Sequence, residues 1–483
     1  MSLRRPVVSA LLLVCALFVP KPAAAHGNLK TSEPAAGSTV SQLPRVLRLD
    51  FTEAPELAFT RVILVGPDRD TLRLSTLRFA PESHRAILAD IPTAERAGTY
   101  TVIWQMAGAD GHPMRGRFSF TVRSAGTTAH ANDTTRVPGG EVAGHVSARG
   151  QDAPPAMHHS SPDAGESSFD ASSPLYVFIR WTQFTGLLIV LGAMAFSIFV
   201  LGRLSRMARV RANAIASTRQ RAARLALTAT AVVGATALFR LWAQTVAMHG
   251  DRASDLALIA AMLTRTTWGW GWLAQIAGVL IAGVGFAQAR RDQPKGWHIA
   301  MVGAGILAFT PALSGHAIAS PSFVPLAVAA DALHVIGAGG WLGSLLFVVI
   351  AGIREALRLE EPARGPAVAE LVNAFSPTAL AFAGITTVTG AVSAWLHLGT
   401  LAALWQSEYG QRLLLKLAIL AVVTATGAYN WLRVRPGLGT ARAAIRVRRS
   451  ASVEILVGVL VLLATAILVA TPTATDVAAM SGH

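Results

Sequence analysis

The chain has 483 residues, 52% of them hydrophobic and only 14% charged, a balance that excludes an ordinary soluble enzyme and leaves room for more than one domain. The formal net charge of +15 would fit a nucleic-acid partner only if the basic residues formed a soluble surface, so their placement against the apolar stretches decides the matter.

Arg4 and Arg5 precede the apolar run Val7 to Val19, and Ala23-Ala24-Ala25 follows it. This is the charged, apolar and small-residue order of a secretory signal peptide over residues 1–25. Cleavage there would make His26 the first residue of the mature chain. The sole cysteine, Cys15, lies inside the signal, and Leu13-Val14 before it fits a lipoprotein cleavage box poorly. Without a thiol, any metal ligands in the mature chain are imidazole, carboxylate, amine or thioether, which suits an oxidising compartment.

From His26 to Arg123, short alternating runs such as Val46 to Phe51, Phe59 to Val65, Tyr100 to Gln105 and Arg117 to Val122 are separated by Gly, Pro and Asp turns. The pattern predicts an all-β sandwich or barrel with one core. Residues 124–173 are rich in Ala, Ser, Gly, Asp and Pro and predict a disordered linker, because they hold too little apolar surface to offset the entropy of ordering. The linker's His130, His145, Met157, His158 and His159 read as solvated residues, with a weak mobile metal relay as the alternative.

Eight stretches long enough to cross a bilayer follow, at roughly 175–201, 225–248, 267–288, 299–318, 325–350, 376–397, 412–432 and 452–471. Together they predict an all-α polytopic membrane domain over 174–472 and a tail at 473–483. The loops at 203–224, 290–295, 352–372 and 433–449 carry most of the arginines, whereas the opposite side offers only Arg252, Arg265, Arg412 and Lys416 near the helix ends. By the positive-inside rule the basic side is cytoplasmic, so the β-domain and the C-terminus are both periplasmic, in agreement with the signal peptide. The positive charge thus serves membrane orientation. The expected partners become the lipid bilayer and metal ions, with no nucleic acid.

Signal cleavage leaves His26 with an α-amine beside its imidazole, two nitrogen donors on one residue. Copper(II) favours such a tetragonal nitrogen and oxygen set and stands at the top of the divalent affinity order. In Asp110-Gly111-His112-Pro113 a carboxylate and an imidazole stand two residues apart, and would face the same way on an extended backbone. His26, Asp110 and His112 together offer three nitrogens and one oxygen.

Those residues have a context. The start His26-Gly27-Asn28-Leu29-Lys30-Thr31-Ser32-Glu33-Pro34-Ala35, the strand Leu47 to Glu53, and Gly98 to Trp104 running on to Ala109-Asp110-Gly111-His112-Pro113 resemble the CopC family of periplasmic copper-binding proteins over residues 26–123. The resemblance implies a Greek-key β-sandwich, cupredoxin-like or immunoglobulin-like, with copper(II) ligated by His26, Asp110 and His112. The methionine-rich loop of some members is absent: the β-domain has only Met106 and Met114, so a second site for copper(I) is not expected. Met114 reads as ordinary packing. Glu53 is either a partner of a ligand imidazole or a surface strand-end residue.

In the membrane region, His249, His316, His334 and His397 fall toward the outer face, with Met248 beside His249 and Asp331 one turn before His334; His298 lies on the other side. Ionisable groups within spans are costly and usually functional, so the outer set is a candidate metal or proton site. The pieces Leu313 to Ala317, Asp331 to His334 running to Trp341-Leu342-Gly343, Tyr409 to Lys416, and Asn430 with Arg433 resemble the CopD family over 175–471. That resemblance implies copper uptake across the inner membrane or copper resistance, with periplasmic copper chaperones as candidate further partners; fusion would hold donor and acceptor at high local concentration.

Three other features invite expectations. Arg240 needs a partner within its span, and Asp331 is the candidate. Glu454 is expected to snorkel to the cytoplasmic interface. Trp268-Gly269-Trp270-Gly271-Trp272 reads as an interfacial anchor.

The resulting expectation is a non-enzymatic protein that binds copper(II) in the periplasm and passes it to the membrane domain. The alternatives are a membrane haem or cupric reductase-like redox protein and a copper-sequestering module. No ATPase signature is present, no histidine lies deep in the inner leaflet, and the sequence sets neither the direction of copper movement nor the oligomeric state.

Overall fold

Alternating inward residues organise the first domain. In the computed structural model, which describes residues 29–52, 54–92, 96–107, 113–123, 173–206, 212–249, 253–314, 323–434, 441–471 and 473–474, Leu47, Leu49 and Phe51 of one strand are almost wholly buried, as a period of two requires. The signal peptide expected at 1–25 lies outside these residues, as does the linker expected at 124–173 except for Ser173.

The strands are β1 (Leu29–Glu33), β2 (Thr39–Val40), β3 (Val46–Phe51), β4 (Arg61–Val65), β5 (Thr71–Leu72), β6 (Arg78–Ala80), β7 (Ser83–Asp90), β8 (Gly98–Ala107) and β9 (Pro113–Val122). They form a four-stranded sheet in the order β1-β3-β7-β6 and a five-stranded sheet in the order β2-β9-β8-β4-β5. Two separate sheets make this a sandwich and not a barrel. Between them Leu49, Leu64, Ile87, Tyr100, Val102, Met106 and Phe120 fill the core. Trp104 meets Phe51 edge-on at 5.2 Å, and only glycine fits opposite it, since a Cβ on Gly116 would stand 2.4 Å from the indole.

Register fixes which loops share an end. Leu29 pairs with Phe51, Arg61 with Gln105, and Ala107 with Pro113. The chain leaves the first sheet at Phe51 and enters the second at Arg61, through a short helical turn at Leu57–Phe59. The start of β1, the β3–β4 connection and the β8–β9 hairpin therefore lie at one end of the sandwich. Elsewhere, Arg48 is paired with Asp50 and Glu82, and Arg78 with Asp90 at 2.7 Å.

The second domain is helical: α1 (Pro174–Arg206), α2 (Ala212–His249), α3 (Leu256–Arg265), α4 (Thr267–Ala289), α5 (Pro294–Leu313), α6 (Val324–Ala356), α7 (Glu361–Leu398), α8 (Glu408–Arg433) and α9 (Ala441–Leu468). All but α3 are long and apolar enough to cross a membrane, eight in all among the described residues. Ser173 caps α1, its hydroxyl accepting from the Tyr176 amide at 3.3 Å, with Pro174 as the first helical residue.

Three stretches expected as basic loops are instead helical. Residues 212–224, 361–372 and 441–449 belong to α2, α7 and α9, because a hydropathy window ends where arginines begin while helix propensity does not. The short helix α3 was not expected. At the basic ends, Glu355 of α6 accepts from Ser217 at 3.1 Å and pairs with Arg221 at 3.4 Å.

Small residues let helix backbones touch, the usual means of association in lipid. A Cβ on Gly343 of α6 would fall 2.1 Å from the Leu188 carbonyl of α1. Phe196, Val200, Phe286, Leu307 and Phe347 complete the centre of the bundle.

Candidate functional site

The proposed copper(II) ligands His26, Asp110 and His112 lie outside the described residues, as do Glu53 and His316, and the described set does not include the side chains of His249 and Met114. What is described is their setting. His26 precedes β1 by three residues, and 108–112 joins Ala107 of β8 to Pro113 of β9. Both attachment points belong to the end of the sandwich defined by Phe51, Gln105 and the β3–β4 connection.

That end meets the membrane domain. Gln105 Nε2 donates to the Met248 carbonyl at the top of α2, at 3.1 Å. Thr267 Oγ1, at the start of α4, donates to a carboxylate oxygen of Glu56 at 3.4 Å. Between these polar contacts Phe59 joins Met248, Met262, Trp268 and Trp272 in one buried apolar cluster. Met248 thus packs under the β-domain, its backbone engaged and its thioether in the cluster. The tryptophan run is split: Trp268 and Trp272 turn inward, Trp272 donating to the Ala237 carbonyl at 2.8 Å, and only Trp270 is exposed, so the run is an interfacial anchor at one position of three.

His334 of α6 faces α7, its Nδ1 at 3.0 Å from the Thr386 carbonyl and 3.2 Å from Thr389 Oγ1. Gly390 makes room for the ring, which a Cβ there would approach to 3.0 Å. His397, near the end of α7, places Nδ1 3.0 Å from the Tyr409 hydroxyl at the start of α8. Eight residues of helix separate Thr389 from His397, about 12 Å of rise, so His334 sits deeper than His397 and the two are not at one level. Asp331 is coupled electrostatically to Lys416 of α8, and Lys416 also acts on His334. Among the described residues, no three His, Cys, Asp or Glu side chains form a group able to hold a metal ion.

Two expectations are overturned. Arg240 reaches not Asp331 but Gln183 of α1, Nη1 to Oε1 at 3.2 Å, because the α1–α2 contact turns it away from α6. Glu454 does not snorkel: it is 6% exposed and accepts from Asn430 Nδ2, the amide of α8 supplying inside the bundle what water would supply at the interface.

Three family models match this chain. The CopC domain matches residues 29–123, the copper resistance protein D-like N-terminal domain 170–324, and copper resistance protein D 369–468. The chain belongs to the CopC and CopD families. It is 23% identical over 470 residues to the copper transport protein CutJ of Bacillus subtilis (strain 168), covering 96% of this chain and 77% of that one. It is 25% identical over 301 residues to the copper resistance protein D of Pseudomonas syringae pv. tomato, covering 60% and 94%. Over 107 residues it is 32% identical to the copper resistance protein C of Escherichia coli, covering 21% and 84%. With its CopD-like part and eight apolar helices, it is a multi-pass membrane protein of a copper resistance and transport family.

The CopD models bracket the α6 site without including it. Asp331 and His334 fall in 325–368, between the two matched segments, whereas His397, Tyr409 and Lys416 fall within the CopD match. Lys416, Tyr409 and Thr389 are the site residues that sequence reasoning missed. Lys416 was counted as a helix-end charge; a cation eight residues into a helix whose first residue is Glu408 was the available signal.

Proposed function

We propose that this CopC–CopD fusion captures copper(II) in the periplasm with His26, Asp110 and His112 and delivers it to the outer half of the membrane domain, for movement across the inner membrane. The observation that carries this reading is the docking geometry: the end of the sandwich that bears the ligand segments is the end that touches α2 and α4 through Gln105, Glu56 and Phe59. At most about 10 Å of chain separates His26 from Leu29, which supports a capture site close to these contacts. An outward orientation of the β-domain has support of the same kind: it covers the helix ends opposite Arg203, Arg206, Arg221 and Arg358, the basic ends that the positive-inside rule assigns to the cytoplasm.

Within the membrane domain the first candidate acceptor is Asp331 with His334, and His397 lies nearer the outer end of α7. Lys416 lies within electrostatic range of Asp331, so an arriving copper cation meets an ammonium in the same field. Cellular copper content tests the reading. Expression of the full chain should change it relative to empty vector, and His112→Ala and His334→Ala should each abolish the change. If His334→Ala behaves as wild type, the membrane route is wrong and sequestration by the β-domain accounts for the phenotype.

A further inference from the structure

Glu454 of α9 carries a carboxyl inside the bundle, 6% exposed, and its hydrogen-bond partner is neutral: it accepts from Nδ2 of Asn430 on α8. Helices α1, α6, α7 and α8 all pack against α9. Among the described residues no charged or titratable side chain on any of them, or on α9 itself, acts on Glu454; burial and the Asn430 amide make up its environment. The cations nearest along the chain, Arg433 one turn beyond Asn430 and Arg449 five residues before Glu454, are exposed. A buried carboxylate with no cation is strongly unfavourable, and a carboxyl, unlike a guanidinium, removes its charge by taking up a proton.

The amide gives a second sign. Asn430 Oδ1 is buried and has no donor. An ionised carboxylate only accepts and leaves that oxygen unsatisfied, whereas a protonated carboxyl adds an O–H donor to the same pair. Acid and amide then satisfy each other twice, Nδ2–H to one carboxyl oxygen and O–H to Oδ1. A water molecule could donate to Oδ1 but would leave the buried charge. A hard metal cation takes about six oxygen ligands, and among the described residues no three His, Cys, Asp or Glu side chains form a metal-binding group. The pair is also far from the α6 site: fourteen residues of α8, about 21 Å of rise, separate Lys416 from Asn430.

We propose that Glu454 and Asn430 form a proton-binding site at the arginine-rich end of the membrane domain, protonated at rest, and that it gives up its proton when a copper cation enters that half. In that step the O–H bond breaks, the proton passes to water at the arginine-rich end, and the electron pair stays on the carboxylate, whose charge the cation then balances. One proton leaves for each such entry. The link to copper rests on the function proposed above; the proton site itself does not.

The test is infrared spectroscopy of the full chain in a non-ionic detergent at neutral pH, with the spectrum of Glu454→Gln subtracted from that of wild type. The difference should contain the carbonyl stretch of a protonated carboxyl, shifted in heavy water. Asn430→Ala should move that band to higher frequency by removing its hydrogen bonds, and it serves in place of Glu454→Gln if the latter does not fold. A difference holding only carboxylate stretches, or a band that Asn430→Ala leaves in place, would overturn the site. In cells, Glu454→Gln, which cannot ionise, should reduce the change in copper content several-fold. A wild-type change in Glu454→Gln would overturn the link to copper. If wild type itself gives no change relative to empty vector, it is the transport reading that fails, and the infrared band still decides the proton site.

Discussion

Phe59→Ala should release the β-domain from the membrane domain. Phe59 is 8% exposed and is the β-domain's member of the cluster with Met248, Met262, Trp268 and Trp272. A buried phenylalanine covers roughly 150–250 Å², about 4–6 kcal/mol at 25 cal/mol per Å². Assigning half of that to the membrane-domain side gives roughly 2–3 kcal/mol, a shift of roughly 30- to 140-fold in the docking equilibrium. The assay is maleimide labelling of Met262→Cys in a Cys15→Ser background, because position 262 is 1% exposed and reacts when the cluster opens. Labelling should accelerate by that factor in Phe59→Ala while the helical circular dichroism is unchanged. An unaltered rate would show that Phe59 does not cover the cluster and that docking rests on something else.

Further outcomes follow from single contacts. Gly343→Ala should lower the melting temperature of the detergent-solubilised chain by the equivalent of at least about 1–3 kcal/mol, since the added Cβ meets the Leu188 carbonyl, whereas Gly305→Ala, with nothing within 4 Å, should not. Glu454→Leu should cost about 1–3 kcal/mol by stranding the Asn430 amide, and Glu454→Gln should cost less; equal melting temperatures for the two would refute the pairing. Hydrogen bonds from Arg78 hold the Asp90 carboxyl below its ordinary value. A lowered carboxyl stabilises above its unfolded value and loses that contribution as pH falls through the folded one. The melting-temperature gap between wild type and Asp90→Asn should therefore be full well above the ordinary carboxyl value of about 3.9 and close as pH falls below it.

The sequence reveals the two domains and all eight spans, because strand alternation and long apolar runs are local signals. It fails where a decision depends on a neighbour. The arginine-bearing ends of α2, α7 and α9 are helical although no lipid requires it, and α3 is too short for a hydropathy window to find. Arg240 was assigned Asp331, and Glu454 the interface, by depth along the sequence, but Gln183 and Asn430 meet them because helix rotation, not depth, decides which side chains meet. For the same reason Met248 and Trp268 read as membrane-domain residues and turn out to be the seat of the β-domain. At the α6 site Asp331 and His334 were visible as an i, i+3 pair, whereas Lys416, eighty-two residues further on in α8, could be linked to them only through the fold, which brings it within electrostatic range of both.

The central claim is that copper(II) is captured at the membrane-facing end of the sandwich. Electron paramagnetic resonance of the full-length chain titrated with copper(II), after the N-terminal residue has been verified as His26, tests it most directly. Wild type and His334→Ala should both give one tetragonal, nitrogen-rich signal at the first equivalent, and His112→Ala should lose it. A signal that persists unchanged in His112→Ala would contradict the account, because the ligand set at the docked end would then not be the capture site.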